Sequence, residues 1–141
     1  MDLRPSSPSD VELPHPSLKA ILLCDRIVEE AGTSKITLVG ILDRLTVSEF
    51  PFDYVRGLEL YVQVTDAAGE YAIRMDLVCL DDEHTVGQGE AVNVIVDRRY
   101  SHEVRFDFPR IPFERPGSYE FRVFANSRFV GAAVLLVEYP A

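Results

Sequence analysis

The segment Pro116–Tyr139 reads PGSYEFRVFANSRFVGAAVLLVEY. It enters through a Pro-Gly corner, alternates apolar and polar residues, turns at Asn126-Ser127 and returns through a second apolar run. Period-two alternation on both sides of a two-residue turn is the signature of a β-hairpin. Pairing Ala125 with Arg128 and Phe124 with Phe129, and continuing without interruption, divides the hairpin into two faces. Tyr119, Phe121, Val123, Val130, Ala132 and Val134 form one, wholly apolar and expected in the core. Glu120, Arg122, Phe124, Phe129, Gly131, Ala133, Leu135 and Val137 form the other, which is mixed and expected to point outward. Phe124, Phe129, Leu135 and Val137 on that face are expected to make an apolar patch. Two readings apply: cover by the N-terminal strand or a loop, or a surface for self-association or partner docking.

Upstream, the same periodicity recurs. Leu58–Thr65 turns Leu58, Leu60, Val62 and Val64 inward and Glu59, Tyr61 and Gln63 outward. Asp66-Ala67-Ala68-Gly69 has the chemistry of a glycine-closed type I turn, which predicts a hairpin with the next strand, Tyr71–Leu80. That strand faces inward with Tyr71, Ile73, Met75, Leu77 and Cys79. Further strands are expected over Leu18–Asp25, continuing toward Val28, and over Gly89–Asp97 and Glu103–Phe108. Ile36–Val47 reads as one long strand, apolar on both faces at its start and so expected mid-sheet or covered on both sides. Gly40 within it predicts a bulge or a close backbone approach. No segment sustains a helical period. Residues 1–17, with four prolines and four serines, are expected to form a disordered or loosely attached arm ahead of a single domain over 18–141.

The chain of 141 residues carries 14 Lys and Arg against 23 Asp and Glu, a net charge of −9. That balance argues against binding nucleic acid or an anionic membrane, since both select a cationic footprint. No run approaches the ~20 apolar residues of a membrane span, and the N-terminus lacks the apolar core of a secretory signal. The expected location is the cytoplasm, with Cys24 and Cys79 as free, partly buried thiols.

No catalytic constellation stands out. His15 lies in the arm, His84 follows an acidic turn and His102 opens a strand, none beside a nucleophile in a recognised motif. Asp81, Asp82, Glu83 and His84 cluster on one turn, where calcium is the ligand to consider. Asp66 lies about 25–30 Å away at ~3.3 Å per strand residue, too far to share an ion, and a solvated acidic turn is the preferred reading. Exposed Tyr54, Tyr61 or Phe124 would be a stacking platform for carbohydrate. Neither a cofactor nor a metal is expected, and the protein is expected not to be an enzyme.

Seven or eight short strands without helices predict an all-β antiparallel β-sandwich, immunoglobulin-like or C2-like. Gly117-Ser118-Tyr119-Glu120-Phe121 resembles the tyrosine corner of immunoglobulin-like domains, in which the ring hydroxyl ties back to the preceding loop. Phe121 stands where such domains carry their second cysteine, and the chain has no tryptophan.

A wider resemblance runs through Leu23-Cys24-Asp25-Arg26, Gly32, Leu38–Arg44, Phe50-Pro51, Tyr61–Asp66 and Pro116-Gly117-x-Tyr119-Glu120-Phe121-Arg122. Over residues 18–138 the sequence resembles a family of small uncharacterised bacterial proteins, a domain of unknown function. The resemblance implies no active site. It departs from the family at Asn126-Ser127, where Asn-Gly is usual. Asp43 and Arg44 fall at a strand end on opposite faces, where an ion pair to a neighbouring strand or loop is expected. The function expected is a non-enzymatic protein-interaction or scaffolding module, with a homo-oligomer or another protein as partner. The alternative is a small-ligand or carbohydrate-binding module using loops at one end.

Overall fold

A computed structural model describes residues 13–141, and these contain eleven strands and no helix. The strands are β1 (Ser17–Glu29), β2 (Ile36–Ile41), β3 (Arg44–Thr46), β4 (Phe52–Tyr54), β5 (Leu58–Thr65), β6 (Gly69–Cys79), β7 (His84–Val96), β8 (His102–Phe108), β9 (Ile111–Phe113), β10 (Gly117–Ala125) and β11 (Arg128–Glu138). One sheet has the order β2-β1-β5-β8, a second has β3-β11-β10-β6-β7, and β4 pairs with β9 in a short third. The expected seven or eight strands become eleven, and the sheets are not purely antiparallel, because β3 runs parallel to β11. Among the described residues no helix is long and apolar enough to cross a membrane.

The strands with the clearest alternation supply the core. Leu58, Leu60, Val62 and Val64 of β5 are buried, as are Tyr71, Ile73, Met75, Leu77 and Cys79 of β6. They meet Val104 and Phe106 of β8 and Tyr119, Phe121 and Val123 of β10 in one hydrophobic cluster fed by both large sheets. Each such side chain contributes about 1.5–3 kcal/mol on burial, so this shared layer is what holds the sheets face to face.

Three connections differ from expectation. Asp66–Gly69 does not close a hairpin: β5 and β6 belong to different sheets, and Asp66 (φ 58°) and Gly69 (φ 120°) bend the chain from one to the other. A four-residue turn motif has the same local chemistry in both settings, and the inward row on each strand decides that they face rather than flank each other. The run Ile36–Val47 is not one strand. It breaks after Ile41, and β3 leaves the first sheet to pair with Leu136–Glu138 in the second. β2 is therefore an edge strand rather than a mid-sheet one, with Ile41 exposed. Gly40 does mark a close approach: its φ is 70° and the Asp25 carboxylate occupies the space a Cβ would need.

The third difference is one of register. The hairpin turn forms where expected, with φ positive at both Asn126 (49°) and Ser127 (67°), as a type I′ turn requires. Phe124 pairs with Phe129 and Ala125 with Arg128, but Val123 then pairs with Gly131, so Val130 is an extra residue in a β-bulge. Every residue beyond it changes face. Leu135 and Val137 are fully buried, opposite Tyr119 and Gly117, so they are corrected from outward surface to core. Val134, expected inside, is 50% exposed. Gly131 lies under the Leu18 side chain, which fills the space a larger residue would claim.

This register has a direct test in neighbouring residues. Val134→Lys is expected to change stability by no more than about 0.5 kcal/mol, as surface substitutions do. Leu135→Ala is expected to cost about 2–5 kcal/mol. Urea denaturation of both variants checks the contrast, and the reverse ranking would restore the unbulged hairpin.

Candidate functional site

Three surfaces bring chemistry-bearing or apolar residues together. The first is the tip of the β10–β11 hairpin, where Phe124 and Phe129 lie on the outer face. Their rings meet edge to face, with centroids 5.8 Å apart. The Arg74 guanidinium sits 4.5 Å above the Phe124 ring, so Phe124 is half-buried while Phe129 stays exposed. With Leu135 and Val137 in the core, only two of the four residues expected in this patch share it. Arg122 beside them is taken up by Glu120 (3.0 Å) and Glu83 (3.2 Å).

The end of the expected N-terminal arm ties into the same tip. Residues 1–12 of that arm lie outside the described residues. From Leu13 onward the chain is held: Tyr71 donates a 2.7 Å hydrogen bond to the Pro14 carbonyl, and His15 Nε2 donates to the Phe129 carbonyl at 2.8 Å. Leu13 packs on the core beside Gly69.

The second surface is the seam along β11. On its outer side β11 has a strand neighbour, β3, only at Leu136–Glu138. Over Val130-Gly131-Ala132-Ala133-Val134 that edge has no hydrogen-bonded strand partner among the described residues, although β1 packs against β11 with Leu18 over Gly131, and the segment has no charged residue and no proline. Beside it runs a groove of about 320 Å³ between the sheets, lined by Ile21, Leu22, Ile41, Leu42, Ala133 and Val134 among others. Leu22, Ile41 and Val134 are all exposed. Sequence reasoning missed this seam because it depends on the bulge and on β2 being an edge. At its far end Arg44 reaches Glu138 (3.4 Å) and the Asp43 carbonyl accepts from the Leu136 N–H (2.9 Å), the interstrand tie expected of that pair.

The third surface lies at the opposite end of β10, where the β6–β7 turn meets the segment before β10. Tyr119, Cys79 and His84 are direct neighbours across three strands, Tyr119 pairing with Cys79 and Cys79 with His84. The Tyr119 hydroxyl donates to the Arg115 carbonyl at 2.6 Å, the tie characteristic of a tyrosine corner. The Arg115 side chain turns back to pair with Asp82, and that contact first, with the neighbouring Cys79, raises its guanidinium above its usual range. The same ion pair holds the Asp82 carboxyl below the ordinary carboxylate range. The acidic turn thus faces arginines: Asp82 meets Arg115, and Glu83 meets Arg122. A cavity of about 70 Å³ opens here among Cys79, His84, Val86, Pro112, Glu114, Arg115 and Tyr119.

The two cysteines differ sharply. Both are free and buried; among the described residues Cys24 donates to the Arg26 and Glu59 carbonyls, while Cys79 lines the cavity. Burial, then the charges of Glu59 and Asp25, push its thiol up. Of the three aromatics expected to be exposed, Tyr54 and Tyr61 are buried, at 8% and 7% exposure, and Phe124 is half-buried. Burial raises both phenols above their ordinary range.

These features define an all-β protein with two large sheets on one core, an apolar strand edge with no hydrogen-bonded partner among the described residues over Val130–Val134, and a small cavity of mixed character at one end. The sequence belongs to a family of unknown function (DUF6941), whose model matches residues 19–138. Comparison with proteins of curated function returns no match.

The Asp82–Arg115 pair makes stability at this end depend on pH. The folded carboxyl titrates below its unfolded counterpart, so its contribution is present above the unfolded value of ~3.9 and is lost as pH falls through the folded one. Thermal melts of the wild type and Asp82→Asn between pH 7 and 2.5 are expected to differ at neutrality and converge in acid. A gap that stays constant would contradict the assignment.

Proposed function

We propose that this protein is an immunoglobulin-like β-sandwich that acts, without catalysis of its own, by binding an extended segment of a partner protein along the free edge of β11. The strand order supports the fold. β1-β5-β8 opposite β11-β10-β6 follows the A-B-E and G-F-C order of immunoglobulin sheets, with the tyrosine corner entering the penultimate strand.

The observation that carries the binding reading is the edge at Val130–Val134. An unpaired strand edge is a template for another chain, and proteins ordinarily blunt it with charges, prolines or bulges that twist it away. The edge strand β8 bears Glu103, Arg105 and Asp107, and β7 is interrupted twice in register. The β11 edge over Val130–Val134 carries its one bulge at Val130, at the start of the segment, but no charge or proline, and it borders a groove that suits alternate apolar side chains of an added strand. The net charge of −9 opposes pairing two copies of this chain and favours a partner segment with basic flanks. Free buried thiols suit a reducing compartment, and the cytoplasm is the proposed setting.

Selection of displayed random peptides on the immobilised protein tests this reading. Enriched peptides are expected to alternate apolar residues between basic flanks and to bind Val134→Lys at least tenfold more weakly. Failure to enrich, or equal binding to both forms, would overturn it. A dimer in light scattering that Val134→Lys dissolves would replace the partner segment by a second copy.

A further inference from the structure

Along a regular strand the backbone N–H and C=O of one residue point to one edge, and those of the next residue to the other. The Leu136 N–H bonds the Asp43 carbonyl and the Glu138 carbonyl accepts from Val47, so these two residues face the outer edge of β11. Pairing with β10 is regular from Gly131 to Val137, which carries the same orientation back to Val134 and Ala132. The N–H and C=O of both have no partner among the described residues. The strip is bounded on either side. At the hairpin end the Phe129 carbonyl already accepts from His15. At the other end Asp43 precedes the Arg44–Leu136 pair and so lies opposite Leu135.

These bounds separate the two directions in which a segment could lie. Facing residues of an antiparallel pair exchange both bonds, whereas in a parallel pair the bonds are slanted to either side of the facing residue. An antiparallel segment with residues opposite Val134 and Ala132 satisfies all of the open groups and stops short of Asp43. A parallel segment reaches the Val134 carbonyl only with a residue opposite Leu135, where Asp43 already sits, and so leaves that carbonyl to water.

The same bounds select side chains. Residues opposite Gly131, Ala133 and Leu135 point toward the inner layer, as those three do. Leu18 fills the space over Gly131, and Asp43 holds the place opposite Leu135. The position opposite Ala133 opens on the groove of about 320 Å³ lined by Ile21, Leu22, Ile41 and Leu42, which suits one large apolar side chain. Asp43 lines the same groove, and its carboxylate has no partner among the described residues. An antiparallel segment enters beside Asp43 and leaves toward the hairpin tip, so a cation on its N-terminal side meets that carboxylate.

We propose, on the basis of the edge-binding reading, that the partner segment docks antiparallel to β11, with a single large apolar anchor opposite Ala133 and a lysine or arginine N-terminal to it at Asp43. Amide hydrogen exchange on the free full-length protein tests the strip itself. Ala132 and Val134 are expected to exchange at least tenfold faster than Ala133 and Leu135, whose N–H groups face β10. Protection of Ala132 and Val134 would overturn the proposal together with edge binding. Protection that grows with concentration would mean a second copy, and protection independent of it another part of this chain.

Peptides enriched by the displayed-peptide selection are then given a nitroxide at one terminus or the other and bound to the isotope-labelled protein. The N-terminal label is expected to broaden the amides of Asp43 and Leu136 most, and the C-terminal label those of Asn126 to Phe129. The reverse pattern would overturn the antiparallel docking and leave edge binding standing, whereas a selection that enriches nothing would overturn both. Alanine at the shared large apolar position is expected to weaken binding at least tenfold. Asp43→Asn, which keeps the backbone tie to Leu136, is expected to weaken it at least threefold at low salt. Peptides that tolerate alanine at every apolar position would contradict the anchor, and equal affinity for Asp43→Asn would contradict the cation.

Discussion

One extra residue, Val130, governs how β11 meets the rest of the molecule. Side chains along a strand alternate strictly, so a single insertion exchanges the faces of everything beyond it. With the bulge in place, Leu135 and Val137 join Tyr119 and Phe121 in the layer between the sheets, and Val134 is left outside. Gly131 then faces inward under Leu18, which lets β1 approach β11 closely at that point. The core on one side and the apolar seam on the other are two consequences of the same insertion.

Much of the fold is legible from alternation. The inward rows of β5 and β6, the β8 row of Val104 and Phe106, and the hairpin turn at Asn126-Ser127 are all where the pattern predicts them. The Tyr119 tie is legible as well, because Pro116-Gly117-x-Tyr119 is a local motif with a local partner. What the sequence hides is the choice between arrangements with identical local chemistry. Val130 is an ordinary β-branched residue, the neighbouring Gly131 does not say which residue is inserted, and Asp66–Gly69 is as good a corner between sheets as it is a hairpin loop. The apolar run at Ile36–Ile41 reads as mid-sheet, yet β2 ends a sheet and leaves part of that run exposed at the seam.

The candidate sites follow the same division. Phe124 and Phe129 do share the outer face, since both lie before the bulge, whereas Leu135 and Val137 lie beyond it. The Cys79 cavity was invisible for a different reason. Cys79, His84, Arg115 and Tyr119 converge only when β6, β7 and β10 are set side by side, and the five-residue spacing from Cys79 to His84 matches no recognised motif. Edge and cavity lie on opposite flanks of the β10–β11 hairpin, the edge on the outer side of β11 and the cavity toward β6 and β7. One presents backbone and aliphatic surface, the other Cys79 among His84, Glu114 and Arg115.

The most direct measurement is the pattern of interstrand nuclear Overhauser effects across the closing hairpin. The bulged register places Val123 opposite Gly131 and Tyr119 opposite Leu135, and cross-strand backbone contacts between those residues are the expected result. Contacts of Val123 with Val130 would instead mean an uninterrupted ladder. That outcome would return Leu135 and Val137 to the surface, bury Val134, and remove the exposed apolar edge on which the binding reading rests.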